Sequence, residues 1–304
     1  MKSIFKILLV ILMASSCKEE KKTVEIANPE SDKENWVAIF NGQNLDNWDI
    51  KITGHEVGEN FQNTFRVEDS MIRAVYDDYE DFNSTFGHLY YNKPLSYYKL
   101  KLEYRFTGEQ VEGGEPWARR NSGVMFHSQS AESNSIGQYF PVSLEFQFLG
   151  GVGDGERSTG NLCTPGTAVT IQDSIAYPHC IKSDSKTYDG DQWVKAELVV
   201  LGDEQMFHII NNDTVMRYSK PIIGGGLITR DGEQEWKSTG IENKEEWLAK
   251  DGQPLKEGYI ALQAESHPID FKNVELLDLC GCMDKKAKNY KSYYVKADNS
   301  KCEY

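Results

Sequence analysis

Residues 98–106 read YKLKLEYRF, an alternation of apolar and charged side chains that a strand turns into one buried and one wet face. Runs of the same character lie to either side of it: residues 122–127 (SGVMFH), 142–148 (VSLEFQF), 193–201 (WVKAELVVL), 206–210 (MFHII) and 258–264 (GYIALQA). Gly, Asn and Asp turns separate them, and Asn211-Asn212-Asp213 between two such runs is a hairpin signal. Helical periodicity is scarce, and residues 243–250 (NKEEWLAK) form the one candidate, a short surface helix or loop insert. Many strands joined by hairpins and polar loops predict an all-β, antiparallel sandwich of jelly-roll type.

Composition narrows the class. Of the 304 residues 39% are hydrophobic and 12% aromatic, enough for a large core. The formal net charge of −14 repels phosphate backbones and no basic patch offsets it, so no nucleic-acid partner is expected. Residues 150–160 (GGVGDGERSTG) and 224–226 (GGG) are too rich in glycine for element interiors. Neither has the strand, helix and lysine context of a nucleotide loop.

The first residues have the anatomy of an export signal: Lys2 and Lys6, an apolar run over residues 7–14, then small residues before Cys17. Ala14-Ser15-Ser16-Cys17 resembles a bacterial lipobox, which implies a signal peptide over 1–16 and a lipid anchor at Cys17, the sole membrane contact. An ordinary signal with a chance cysteine is the plainer alternative. Residues 17–33, with KEEKK at 18–22, read as a flexible tether and resemble the surface-export tags of Bacteroidetes lipoproteins. The expected location is the outer membrane, periplasmic or surface facing. Export permits disulfides, and the expected pairs are Cys163 with Cys180 and Cys282 with Cys302, leaving Cys280 odd. No CxxC spacing suggests structural zinc. Residues 280–304 resemble a small cysteine-bounded module of exported bacterial proteins, needing its staple because its core is too small.

An ordered set of motifs carries a wider resemblance. It comprises residues 36–48 (WVAIFNGQNLDNW), 86–89 (FGHL), 121–126 (NSGVMF), 143–147 (SLEFQ), 161–167 (NLCTPGT), 258–263 (GYIALQ) and 271–274 (FKNV). Together they resemble the 3-keto-disaccharide hydrolase family over about residues 34–279. The resemblance implies a concanavalin A-like jelly-roll sandwich of two antiparallel sheets and cleavage of glycosides already oxidised at C3. It also implies a functional partner, a sugar 3-oxidase. Likeness to family-sixteen glycoside hydrolases keeps ordinary glycoside hydrolysis open, and a non-catalytic carbohydrate-binding lipoprotein is the alternative from another class. The resemblance puts Arg at position 272; Lys272 keeps the charge without the bidentate fork.

In Ser143-Leu144-Glu145-Phe146-Gln147-Phe148 a period of two sets Leu144, Phe146 and Phe148 on the core face and Glu145 and Gln147 on the other. Retaining endoglucanases of the resembled fold carry two or three carboxylates on such a strand; here Gln147 stands in for the second, which argues against ordinary two-carboxylate chemistry. The same alternation aligns Gln263, Glu265 and His267, and aligns His127 with Gln129. A 3-keto glycoside needs a base near C2, for which His127 and His267 are the candidates, with Glu145 as orienter or acid. An enolate stabiliser is also needed: Arg120 or a divalent cation, for which no tight ligand motif exists. Arg120, Asn121, Gln147, Gln263, Glu265 and Lys272 are the substrate-binding candidates. Trp117, Tyr139 and Phe140 are candidate stacking residues, though sandwich aromatics are more often core. Each polar residue has its plain alternative as a solvated strand or loop residue.

Overall fold

The computed structural model describes residues 33–176, 178–224 and 240–304. The signal, tether and Cys17 lie outside the described residues except for Lys33, as do Gly225 and Gly226. Among the described residues the strands in chain order are β1 (Val37–Ala38), β2 (Trp48–Ile52), β3 (Phe65–Glu68), β4 (Met71–Ala74), β5 (Gly87–Leu95), β6 (Tyr97–Phe106), β7 (Asn121–Ser128), β8 (Leu144–Leu149), β9 (Asn161–Cys163) and β10 (Thr167–Ile171). They continue as β11 (Ser174–Ala176), β12 (Cys180–Ile181), β13 (Val194–Leu201), β14 (Gln205–Ile210), β15 (Asp213–Ile223), β16 (Gly258–Ala264), β17 (Ile269–Asp278), β18 (Cys280–Gly281) and β19 (Lys296–Ala297). The α-helix α1 (Lys244–Leu248) falls inside the stretch whose composition suggested one, and buries Trp247 against Val142, Ile223 and Ile241.

Seventeen of these strands form the two antiparallel sheets of a jelly-roll sandwich, and β18 and β19 make a separate parallel pair. One sheet has the order β11-β10-β15-β14-β13-β6-β17-β4-β3, with β1 added to β17; the other runs β12-β9-β8-β7-β16-β5-β2. The alternation of residues 98–106 is realised without a break: β6 buries every second residue, and Leu100, Leu102, Tyr104 and Phe106 join the core. From the opposite sheet come Leu89, Val124, Phe146, Phe148 and Leu262, and the Tyr104 and Phe148 rings stack at 4.1 Å. Burying each such side chain contributes about 1.5–3 kcal/mol, so this interface carries the fold. Asn211 and Asn212, both at positive φ, close the β14–β15 hairpin, a backbone form asparagine tolerates.

One strand departs from simple alternation. All eight residues of β7 are buried, because its second face is covered as well. Tyr90, Met125, Ala131 and Ala261 make a small apolar cluster there, where the segment after β7 folds back over the sheet. The disulfides form as expected, Cys163–Cys180 and Cys282–Cys302, with Cys280 unpaired. The first does not pin a loop over the sheet. Its cysteines face each other across the β9–β12 ladder, so it fastens the last strand of the seven-stranded sheet.

Candidate functional site

The outer face of the seven-stranded sheet is built by register. Cys163, Glu145 and Met125 lie abreast on β9, β8 and β7, and Ala261, Tyr90 and Asp49 continue that row across β16, β5 and β2. Asn161, Gln147 and Gly123 begin the next row; Gln263, His88 and Lys51, themselves in register, continue it. The first row is largely apolar and covered by Ala131. The second row and the positions beyond it are polar, and there the face changes character.

Buried polar atoms without a hydrogen-bond partner gather at this end. They are His88 Nε2, Asn121 Oδ1, Glu145 Oε1, both amide atoms of Gln263, Glu265 Oε2 and, at the border, both ring nitrogens of His267. An orphaned buried polar atom costs about 1–3 kcal/mol, so folded chains keep few, and a cluster on one face marks a surface shaped for something other than stability. Gly123 makes the arrangement feasible. A Cβ there would stand 2.9 Å from Glu145 Oε1 and 3.0 Å from its Cγ, so the Glu145 side chain lies across the glycine toward Glu265. The β16 carboxylate thus supplies the partner that Gln147 does not.

Electrostatics separates this pair from surface acids. Burial pushes the Glu145 carboxyl up to about 8. Glu265 is held well above the usual carboxylate range, by burial first and then by Glu145, with Arg157 pulling it back. Two buried carboxyls pushed up to different extents divide the roles, so one acts as acid while the other is ionised. Burial drives His88 down to about 3, making it a neutral hydrogen-bonding ring at neutral pH. Asn161 Nδ2 donates to Gln147 Oε1 at 3.0 Å and fixes that amide.

Arg157, inside the glycine-rich loop, holds the rim. Its Nη1 donates to the carbonyls of Gly150 at 2.7 Å, Arg119 at 2.7 Å and Arg120 at 3.1 Å, and Nη2 to Trp117 O at 3.3 Å. Phe86, Trp117, Tyr139 and Phe140 form an aromatic group beside His88, with Phe140 6.3 Å from the His88 ring. The structure therefore unites Glu145, Glu265, Gln263, Gln147 and Asn121, and adds His88 and Arg157, which the sequence reading missed. His88 carried a signal, its alternation with Leu89 in residues 86–89. Arg157 carried none, because a loop arginine has no period.

Three expected residues, His127, Arg120 and Lys272, stand elsewhere, and a fourth, His267, borders the site near Arg157. His127 sits at a bulge with φ +46, which turns its ring inward to donate from Nε2 to Gly202 O at 2.8 Å, in the turn of the opposite sheet. It is a bridge between sheets. His267 follows Ser266 at φ +80, which ends the alternation, and the ring lies edge-on to Phe106, 5.8 Å away. Burial first, then Arg120 and Arg119, bring it down to about 4. Arg120 gives its guanidinium to Gly190 O and Asp191 at 2.9 and 2.7 Å, so it is committed to the neighbouring loop. Lys272 lies on the outer face of the other sheet, over the Trp193 ring at 3.8 Å and near Glu103. Among the described residues no group of three or more His, Cys, Asp or Glu gathers to hold a metal ion. The divalent cation allowed by the sequence thus finds no such donor set.

The fold and this face define a carbohydrate-related sandwich protein. Residues 35–277 match the family described as the 3-keto-alpha-glucoside-1,2-lyase-like domain, and the chain belongs to that family. Two crystal structures of candidate glycosyl hydrolases from Parabacteroides distasonis are similar to it. One has 17% identity and TM-score 0.44, covering 80% of this chain and 93% of that one; the other has 16% and 0.43, covering 80% and 99%. The carbohydrate-binding module CBM66 from Bacillus subtilis has 9% identity and TM-score 0.40, covering 77% and 98%. No curated protein matches the sequence.

Proposed function

We propose that this protein cleaves glycosides oxidised at C3 of the sugar, by elimination and rehydration, with Glu145 and Glu265 as base and acid. The observation that carries the reading is the buried pair of carboxyls, both held above the usual range and each with an unpartnered oxygen, beside the Gln263 amide. Glu265 is held up more strongly than Glu145, because the Glu145 charge adds to its own burial and Arg157 only partly offsets this, so the proton rests on Glu265 and Glu145 is the seat of the negative charge.

The ketone at C3 acidifies the C2 proton. Glu145 takes that proton, the C2–H electrons form the C1=C2 bond, and the C1–O bond breaks as Glu265 protonates the departing oxygen. Gln263 donates an amide hydrogen to the C3 oxygen as charge gathers there. Water then adds at C1 while C2 regains its proton, so the net change is hydrolysis. An unoxidised glycoside has no acidic C2 proton and should not react. A sugar 3-oxidase is the reaction class that must supply the substrate. The lipobox-like residues 14–17 support export and lipid attachment at Cys17, placing this chemistry at the outer membrane. Mass spectrometry of the mature N-terminus tests the anchor: an unmodified residue 17 would refute it.

The deciding experiment incubates the full chain with 3-keto-glucosides and matched unoxidised glucosides and reads products by mass spectrometry. Cleavage of the keto substrates alone is expected. Cleavage of both sets would mean ordinary glycoside hydrolysis, and retention of either glycan without cleavage would mean a binding module.

A further inference from the structure

We propose that His88 reads the hydroxyl at C4 of the oxidised sugar and so determines which 3-keto units this face accepts. This rests on the reading that the Glu145–Glu265 pair cleaves a 3-keto glycoside, and it assigns the next oxygen of the ring to a residue on the next strand.

Register singles the residue out. The polar row across the seven-stranded sheet runs Asn161, Gln147, Gly123, Gln263, His88 and Lys51. At one end Asn161 Nδ2 donates to Gln147 Oε1 at 3.0 Å, and Gly123 brings no side chain. At the other end Lys51 gives its ammonium to the His55 carbonyl. Between them both amide atoms of Gln263 and Nε2 of His88 are buried without a partner. Within the row the unmet buried atoms are thus confined to one ladder pair, Gln263 opposite His88.

The two chemistries match. Side chains directly opposite on an antiparallel pair have Cβ atoms about 5 Å apart on one face, so they converge on neighbouring oxygens of one ring. With Gln263 on the C3 oxygen and the carboxyls at C1 and C2, the neighbouring oxygen on the side away from Glu145 is that of C4. Glu145 on β8, Gln263 on β16 and His88 on β5 follow the strand order as C2, C3 and C4 follow the ring. The His88 ring is 4% exposed, lies edge-on to Phe140 at 6.3 Å and is kept neutral by burial. A neutral Nε2 donates or accepts according to tautomer and a hydroxyl does both, so they pair without bringing a charge into a buried site. An analogue lacking that hydroxyl leaves the nitrogen unpaired, which is how a buried polar atom discriminates.

The test is a cycle of two enzymes and two substrates: the wild-type full chain and His88→Ala, each on methyl 3-keto-glucoside and on its 4-deoxy analogue. In the wild type, loss of the C4 hydroxyl should lower kcat/KM about 10- to 100-fold, and His88→Ala should lower it on the hydroxylated substrate by a similar factor. Within His88→Ala the two substrates should differ by less than about threefold. His88→Asn, which keeps a hydrogen-bonding side chain, should restore part of the preference. Equal losses on both substrates in His88→Ala, or a wild type indifferent to the hydroxyl, would overturn the assignment. Calorimetric titration with both compounds runs in parallel. Should the wild type bind without cleaving, the cleavage reading fails, and the assignment stands if His88→Ala weakens binding of the hydroxylated compound alone and falls otherwise. Binding of neither compound would overturn both readings. Thermal unfolding of the variants reports any folding effect, which would act on both substrates alike.

Discussion

The outward faces of the two sheets are both rich in polar residues, yet they are arranged in opposite ways. On the ten-stranded sheet the charges around Asp270, Glu103 and Glu275 find partners. Asp270, fully buried, accepts from Arg73 Nε at 2.8 Å and Arg105 Nε at 2.9 Å. Lys101 pairs with Glu275 at 3.0 Å, Asn273 donates to Glu103 at 2.8 Å, and Arg105 and Lys272 flank the Trp193 ring. On the seven-stranded sheet Glu145, Glu265, Gln263, Asn121 and His88 are equally buried and leave atoms unbonded. Polarity alone therefore does not mark a functional face. Unmet polarity does, because the first face stabilises the fold while the second gives up stability that a ligand can restore.

The largest expected effect breaks the unsatisfied face. Glu145→Gln or Glu265→Gln should lower turnover of 3-keto substrates about 10²- to 10⁴-fold in steady-state kinetics while leaving the melting temperature unchanged or raised. A loss of stability with full activity would reverse the contrast between the faces. Next in size is Gly123→Ala, whose methyl group meets Glu145. Because a displacement near 1 Å can cost about 100-fold, kcat should fall by about 10- to 100-fold with folding retained.

The satisfied face should behave in the opposite sense. Asp270→Ala removes two charged hydrogen bonds from a buried carboxylate and should cost roughly 2–3 kcal/mol in denaturant unfolding, with kcat per folded molecule unchanged. The smallest effect is in the pH dependence of stability. Folded Glu145 keeps its proton up to about 8, whereas the unfolded chain releases it near the ordinary carboxylate value. The stability this group contributes is complete below that ordinary value and is lost as pH rises through about 8. His88 and His208, both held down at about 3 by burial, act on the other flank: their contribution is present above the ordinary imidazole value and is lost as pH falls toward 3. The unfolding midpoint should pass through a maximum in mildly acidic to neutral buffer, and Glu145→Gln should flatten only the alkaline limb.

What the sequence made legible is what obeys a period. Residues 143–148 showed which side chains enter the core and that Glu145 and Gln147 share the other face, and the structure keeps that division. Cysteine spacing predicted both disulfides. The face of His127 was misread, and the course of the chain before His267 missed, for one physical reason. Left-handed backbone at His127 and Ser266 interrupts the alternation, and a non-glycine residue at positive φ leaves no mark in a sequence. Lys272 was a candidate through the family resemblance alone, which does not say which of two sheets its strand joins; β17 lies in the ten-stranded sheet. Glu265 was recognised as polar and aligned; its encounter with Glu145 across β7 required the strand order β8-β7-β16, a long-range fact.

The Cys163–Cys180 bond has a consequence at the border of its sheet. β12 is only two residues long and ends the seven-stranded order, where unpaired backbone groups of an edge can recruit another chain. A covalent tie that keeps this short strand seated covers β9 and leaves little ladder for a stranger to extend. The bond beside Glu145 therefore also guards against edge-to-edge aggregation, and reducing it should make the protein stickier in light scattering before it unfolds.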